Sequence, residues 1–67
     1  MMKNCFAKNL KALRVERGLS QKQLAKELDI TIKTLSHWET GYSEPSIDLI
    51  LRIASFFDTT TDTLLSE

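Results

Sequence analysis

The sequence predicts an all-α domain of five short helices, on three observations. The chain has 67 residues, room for one domain spanning 1–67 and no second. It holds two Gly and one Pro, too little punctuation for a hairpin-rich fold. Its apolar residues recur at three- and four-residue spacing along the whole chain, the period of a helix and not of a strand. No repeat, linker or low-complexity tract interrupts that pattern.

Each helix carries its own start and stop signals. The first is expected over residues 5–17, with Asn4 as N-cap, Phe6, Leu10 and Leu13 repeating at i, i+4, i+7, and Gly18 placed for a left-handed C-terminal cap. Ser20 opens the second: Ser20 and Gln23 have the S-x-x-Q spacing of a capping box, and Leu24, Ala25 and Leu28 form the stripe to be buried. Thr31 caps a third helix running to about Thr40, with Leu35 and Trp38 inward and Gly41 closing it. Pro45 stops any earlier helix, and Ser46 caps the fourth, over 46–57, with Asp48 in the first turn where the macrodipole favours an anion. Thr60 caps a short fifth helix from Thr61 to Leu65, with Asp62 in its first turn.

Composition narrows the function classes. A core drawn from 42% hydrophobic residues in so short a chain buries only about 60% of the unfolded surface and is worth on the order of 3–5 kcal/mol, so stabilisation by a partner subunit is plausible. Cys5 is alone and cannot close an intrachain disulfide, and with His37 as the one histidine it cannot assemble a structural zinc site; no metal or cofactor is implied. No apolar run exceeds four residues and the N-terminus has no signal-peptide core, so a cytoplasmic chain without membrane contact is expected. An enzyme is a poor reading, because no nucleophile with base and orienting group, no carboxylate pair and no glycine-rich phosphate loop is present. No small-molecule ligand is evident either.

Nine Lys and Arg balance nine Asp and Glu, and zero net charge argues at first against a nucleic-acid partner. The sum conceals a split. Residues 1–33 hold eight cations against three anions, a net +5, whereas residues 34–67 hold only Arg52 against six anions, a net −5. Such asymmetry is what a molecule with one cationic side would show.

Helices two and three, joined by the tight Asp29–Ile30–Thr31 link, with Ala25 small where two helices must cross and Ile30 apolar inside the turn, make a helix-turn-helix unit. The run GLSQKQLAKELDITIKTLSHWETG at residues 18–41, followed by EPSIDLILRIASFF and TTTDTLLSE, resembles the phage Cro/cI-type repressor domain, the XRE-type helix-turn-helix family. The similarity covers nearly the whole chain and rests on ordered agreement at Gly18-Leu19-Ser20-Gln21, Leu24-Ala25, Ile30-Thr31, Leu35, Trp38-Glu39, Gly41, Pro45-Ser46 and Ile53-Ala54. It implies a compact lambda-repressor-like five-helix fold that binds double-stranded DNA through helix three and serves as a transcriptional repressor.

The residues support specific roles beside that resemblance. On a helical wheel anchored at Leu35, the outward arc of helix three holds Ile32, Lys33, Ser36 and His37, a mixed donor and apolar surface that fits a major groove. Lys33 suits guanine O6 or N7, Ile32 a thymine methyl, and Ser36 or His37 a base edge or phosphate. The plain alternative is a solvated face. Gln21, at the start of helix two, is expected on a phosphate, as the resemblance also implies; ordinary helix capping is its alternative. Thr31, Thr40, Tyr42 and Ser43 offer hydroxyls for further phosphates. Where relatives often have Asn before the Gly and Lys or Arg after it, this chain has Thr40 before Gly41 and Tyr42, Ser43 and Glu44 after, so only about 3–5 phosphates per subunit are expected to be neutralised.

The resemblance further implies an ion pair between Arg14 in helix one and Glu39 late in helix three, with a structural role in orienting the recognition helix. Asp29 stands where the family usually has Gly, and Asp tolerates the left-handed backbone better than most residues. In helix four, eight of twelve residues are apolar and span an arc of about 220°, twice what one core contact requires. The arc of Leu49, Ile53 and Phe56 is expected to form a homodimer interface, with internal coverage by helix five or Trp38 as the alternative. A different class of function also remains open: a protein-interaction module, such as an antitoxin or adaptor domain, using the apolar face of helix four.

Overall fold

The computed structural model describes residues 5–67, which form α1 (Phe6–Glu16), α2 (Gln21–Leu28), α3 (Ile32–Thr40), α4 (Ile47–Phe56) and α5 (Thr61–Leu65). The all-helical five-element order expected from the sequence is the one observed, with boundaries within a residue or so. The expected N-cap at Asn4 lies outside the described residues; Cys5 precedes α1 and makes no side-chain cap. Among the described residues no helix is long and apolar enough to cross a membrane.

The start signals are used as read. The Ser20 hydroxyl accepts from the Gln23 amide at 3.0 Å while the Gln23 side chain accepts from the Ser20 amide at 2.8 Å, so two orphan donors are satisfied reciprocally. Thr31, Ser46 and Thr60 accept from the amides of Thr34, Leu49 and Thr63.

Four of the five helices, α1 to α4, share one closure. At the end of α1 the Gly18 amide donates to the Val15 carbonyl at 2.9 Å and the Leu19 amide to the Arg14 carbonyl at 3.0 Å. The same paired pattern recurs at Asp29 and Ile30 after α2, Gly41 and Tyr42 after α3, and Asp58 and Thr59 after α4. Each closure turns on one left-handed residue: Gly18 at φ 70°, Asp29 at 59°, Gly41 at 81° and Asp58 at 55°. Asp29 thus takes the conformation expected of it, and Asp58 repeats it where no glycine marked the position. Three side chains then cap helix ends from other elements. The Asn9 amide converges on the carbonyls of Leu64 (2.8 Å) and Ser66 (2.7 Å) at the end of α5. Arg17 donates to the Phe57 carbonyl at 2.7 Å with its guanidinium over the Phe57 ring, and Arg52 donates to the Leu28 carbonyl at 3.3 Å.

The core is one cluster to which every helix contributes: Phe6 and Leu10 from α1, Leu24, Ala25 and Leu28 from α2, Leu35 and Trp38 from α3, Ile50, Ile53 and Ala54 from α4 with Phe57 just after it, and Leu64 from α5. α1 packs against α3 and α5, α2 against α3, and α4 against α5. Here the wheel reading of α4 is corrected. Ile53, expected on a partner subunit, is fully buried in the protomer, and Leu49 and Phe56 are half-buried against the same core. The core takes the middle of the broad apolar arc, with α5 packed against α4. The residues left outside are Ile47 and Leu51 on the opposite flank, 71% and 54% exposed.

One polar network lies among these apolar layers and fixes α3. Glu39 is the single charged residue buried among the described residues. The Arg14 Nε donates to Glu39 Oε2 at 2.6 Å and its Nη2 to Oε1 at 3.1 Å, a two-pronged contact, while Nη1 donates to the Leu19 carbonyl at 2.8 Å. The Gln21 Nε2 adds a donor to Glu39 Oε1 at 3.1 Å. The carboxylate therefore ties α3 to α1 and to the first residue of α2, and no buried side-chain nitrogen or oxygen among the described residues is left without a partner.

Two outcomes follow for stability. Arg14→Ala strips the partner from a carboxylate whose side chain is only 3% exposed, and is expected to cost about 3–5 kcal/mol in urea unfolding, while Val15→Ala at the exposed neighbouring position costs under about 0.5 kcal/mol. At the turn, Asp29→Val is expected to lose about 1–2 kcal/mol through left-handed strain, whereas Asp29→Gly stays within about 0.5 kcal/mol of the parent because relieved strain and added unfolded-chain entropy oppose each other. Equal stability of the two Asp29 variants would contradict the backbone assignment.

Candidate nucleic-acid interface

α3 divides into two faces. Leu35, Trp38 and Glu39 are buried, and the opposite arc presents Ile32 and Lys33, both exposed, with Ser36 and His37 half-buried one turn later. The four residues expected to read bases are therefore together on one side of one helix, with the two foremost at its N-terminal end. Ile32 is 46% exposed, an apolar side chain placed in solvent next to the exposed Lys33.

The residues expected on phosphates fall into two groups. At the start of α2 the Gln21 side chain is turned onto Glu39, a partner that its sequence position did not reveal, and the first-turn amides of Gln21 and Lys22 have no intrahelical acceptor. Thr31 is engaged locally: its hydroxyl accepts from the Thr34 amide at 3.0 Å and donates to the Thr34 hydroxyl at 2.9 Å. At the other end, the Thr40 hydroxyl donates to the His37 carbonyl at 3.2 Å, so it too is internally paired. Tyr42 and Ser43 are exposed, and their amides both donate to that same carbonyl, at 2.9 and 3.3 Å. The Tyr42 ring lies against the His37 ring with centroids 4.5 Å apart, a contact that spacing alone did not show.

Arg14 is neutralised by Glu39, and Arg17, exposed just past α1, is held at the end of α4, which leaves Lys8, Lys11, Lys22, Lys26 and Lys33 as the exposed cations on α1 to α3. Asp48 and Asp62 sit in the first turns of α4 and α5, where helix dipoles favour them, and α4 packs on α5.

Comparison with known proteins agrees with the geometry. A family profile described as helix-turn-helix matches residues 10–64. The HTH-type transcriptional activator BcrR of Enterococcus faecalis is 38% identical over 61 residues, covering 91% of this chain and 30% of that protein. The HTH-type transcriptional regulator ImmR of Bacillus subtilis is 35% identical over 62 residues, covering 92% of this chain and 49% of that protein. This chain thus spans a third to a half of the length of these two relatives. The restriction-modification controller protein C.AhdI of Aeromonas hydrophila superposes with a TM-score of 0.80 at 30% identity, over 90% of this chain and 91% of that one. With two helices joined by a left-handed Asp29 turn, an exposed Ile32–Lys33 face on the second and a family match across most of its length, the chain belongs to the XRE-type helix-turn-helix family.

Proposed function

We propose that this protein is a sequence-specific regulator of transcription that binds double-stranded DNA with α3 in the major groove and represses by occupying its operator. The observation that carries the reading is the exposed Ile32–Lys33 start of α3, with Ser36 and His37 behind it, held at a fixed attitude by the buried Arg14–Glu39–Gln21 network. Repression by occupancy requires only binding over a promoter, which this domain can supply alone. Exposed Lys8, Lys11, Lys22 and Lys26 on α1 and α2 provide the phosphate neutralisation, aided by the open amides at the start of α2.

The reading includes a homodimer on a roughly palindromic site with half-sites about 34 Å apart. The domain measures 31 × 24 × 21 Å, so two copies side by side match that spacing. What supports a self-contact is the exposed Ile47–Leu51 flank of α4, where Asp48 and Arg52, one turn apart, would lie opposite each other in an antiparallel pairing of two α4 helices.

Selection from a randomised duplex pool is expected to enrich a two-fold symmetric motif; no enrichment at low salt by folded protein would overturn the function. Lys33→Ala is expected to relax preference at one or two base pairs per half-site, worth about 1–3 kcal/mol each, and a uniform loss over all sequences would mark Lys33 as a phosphate contact instead. The log–log salt dependence is expected to have a slope of about −3 to −4.5 per subunit, and a flat dependence would contradict the lysine assignment. Leu51→Glu is expected to make the protein monomeric by sedimentation and to weaken binding to the full site far more than to an isolated half-site.

A further inference from the structure

We propose that Tyr42 is a positioning residue that sets base preference by holding the His37 imidazole at one attitude on the reading face of α3. This role rests on the DNA-binding function proposed above and deepens it. Tyr42 lies outside the helix and is 78% exposed, so burial does not explain its ring. That ring meets His37, with centroids at 4.5 Å and planes inclined by 46°. Three donors meanwhile converge on the His37 carbonyl: the Thr40 hydroxyl at 3.2 Å and the amides of Tyr42 at 2.9 Å and Ser43 at 3.3 Å. The left-handed Gly41 reverses the chain so that residue 42 returns over residue 37. Backbone and ring are thus both anchored at one residue, and that residue is in the predicted base-reading set.

The physical consequence is preorganisation. A half-buried histidine at the end of a short helix has several rotamers open to it, and a donor that samples several attitudes loses discrimination between base edges. A tilted aromatic contact shifts such a population by roughly two- to tenfold. The phenol hydroxyl has no hydrogen-bond partner among the described residues, so the contact needs the ring and not the oxygen. This separates the positioning role from a phosphate contact, which would need the hydroxyl.

The test compares Tyr42→Ala, Tyr42→Phe and His37→Ala with the parent protein, on the duplex selected by the parent and on its single base-pair variants. His37→Ala should lose discrimination at one position of each half-site. Tyr42→Ala should lose about three- to tenfold at that same position, Tyr42→Phe should retain it, and the double Ala variant should lose no more than His37→Ala alone. Because His37 is the one histidine in the chain, its ring-proton resonances are unambiguous, and in the DNA-free protein they should shift in Tyr42→Ala but not in Tyr42→Phe as the ring current is lost. Unchanged His37 resonances in Tyr42→Ala, or undiminished discrimination at the His37 position, overturn the positioning role while leaving the DNA-binding function intact. A uniform loss of affinity shared by Tyr42→Ala and Tyr42→Phe overturns it in favour of a hydroxyl–phosphate contact. If the parent protein enriches no motif, both the function and this role fall together.

Discussion

A carboxylate cannot remain charged in an apolar interior without partners, and the burial of Glu39 is the constraint around which the domain is arranged. Its two oxygens are filled by Arg14 from α1 and Gln21 from α2, and the third Arg14 nitrogen takes the carbonyl of Leu19 between those helices. Apolar contacts hold α3 to the core but tolerate rotation and sliding; a two-pronged guanidinium–carboxylate contact does not. Net stabilisation from such a pair is small relative to well-packed hydrophobic residues, because desolvation offsets most of the attraction. The network is better understood as setting the angle at which Ile32 and Lys33 leave the surface.

The same economy governs the helix ends. Four closures turn on a left-handed residue, two of them Asp, and three helix C-termini are capped from elsewhere in the chain by Asn9, Arg17 and Arg52. These contacts alter the meaning of the charge balance. Three of the nine cations, the arginines, are committed to the fold, and the exposed cations on α1 to α3 are lysines, compact point charges suited to phosphate, with Lys33 alone proposed to reach a base edge. Specificity then rests on few side chains, so how firmly each is held matters.

Much of this was legible in the residues. Ser20–Gln23, Thr31, Ser46 and Thr60 announce helix starts because capping is local chemistry, decided within four residues. Gly18 and Gly41 mark stops for the same reason, whereas Asp58 carries no comparable signal and its left-handed turn went unforeseen. The wheel of α4 measured the width of the apolar arc correctly but could not locate its centre. Which part of the arc meets the core depends on where the other helices lie, and so Ile53 proved internal while Ile47 and Leu51 remained outside. Gln21 on Glu39 and Tyr42 on His37 were hidden likewise, the first by an 18-residue separation and the second by a chain reversal at Gly41.

The central claim is that the buried pair fixes geometry more than it stabilises the fold. It is tested most directly by replacing both partners at once, Arg14→Met with Glu39→Leu, and measuring unfolding free energy and base-pair discrimination on the same preparation. Stability within about 1–2 kcal/mol of the parent, together with a loss of discrimination of tenfold or more, is the predicted result. A double variant that folds as well and still reads the same motif with the same preference would contradict it.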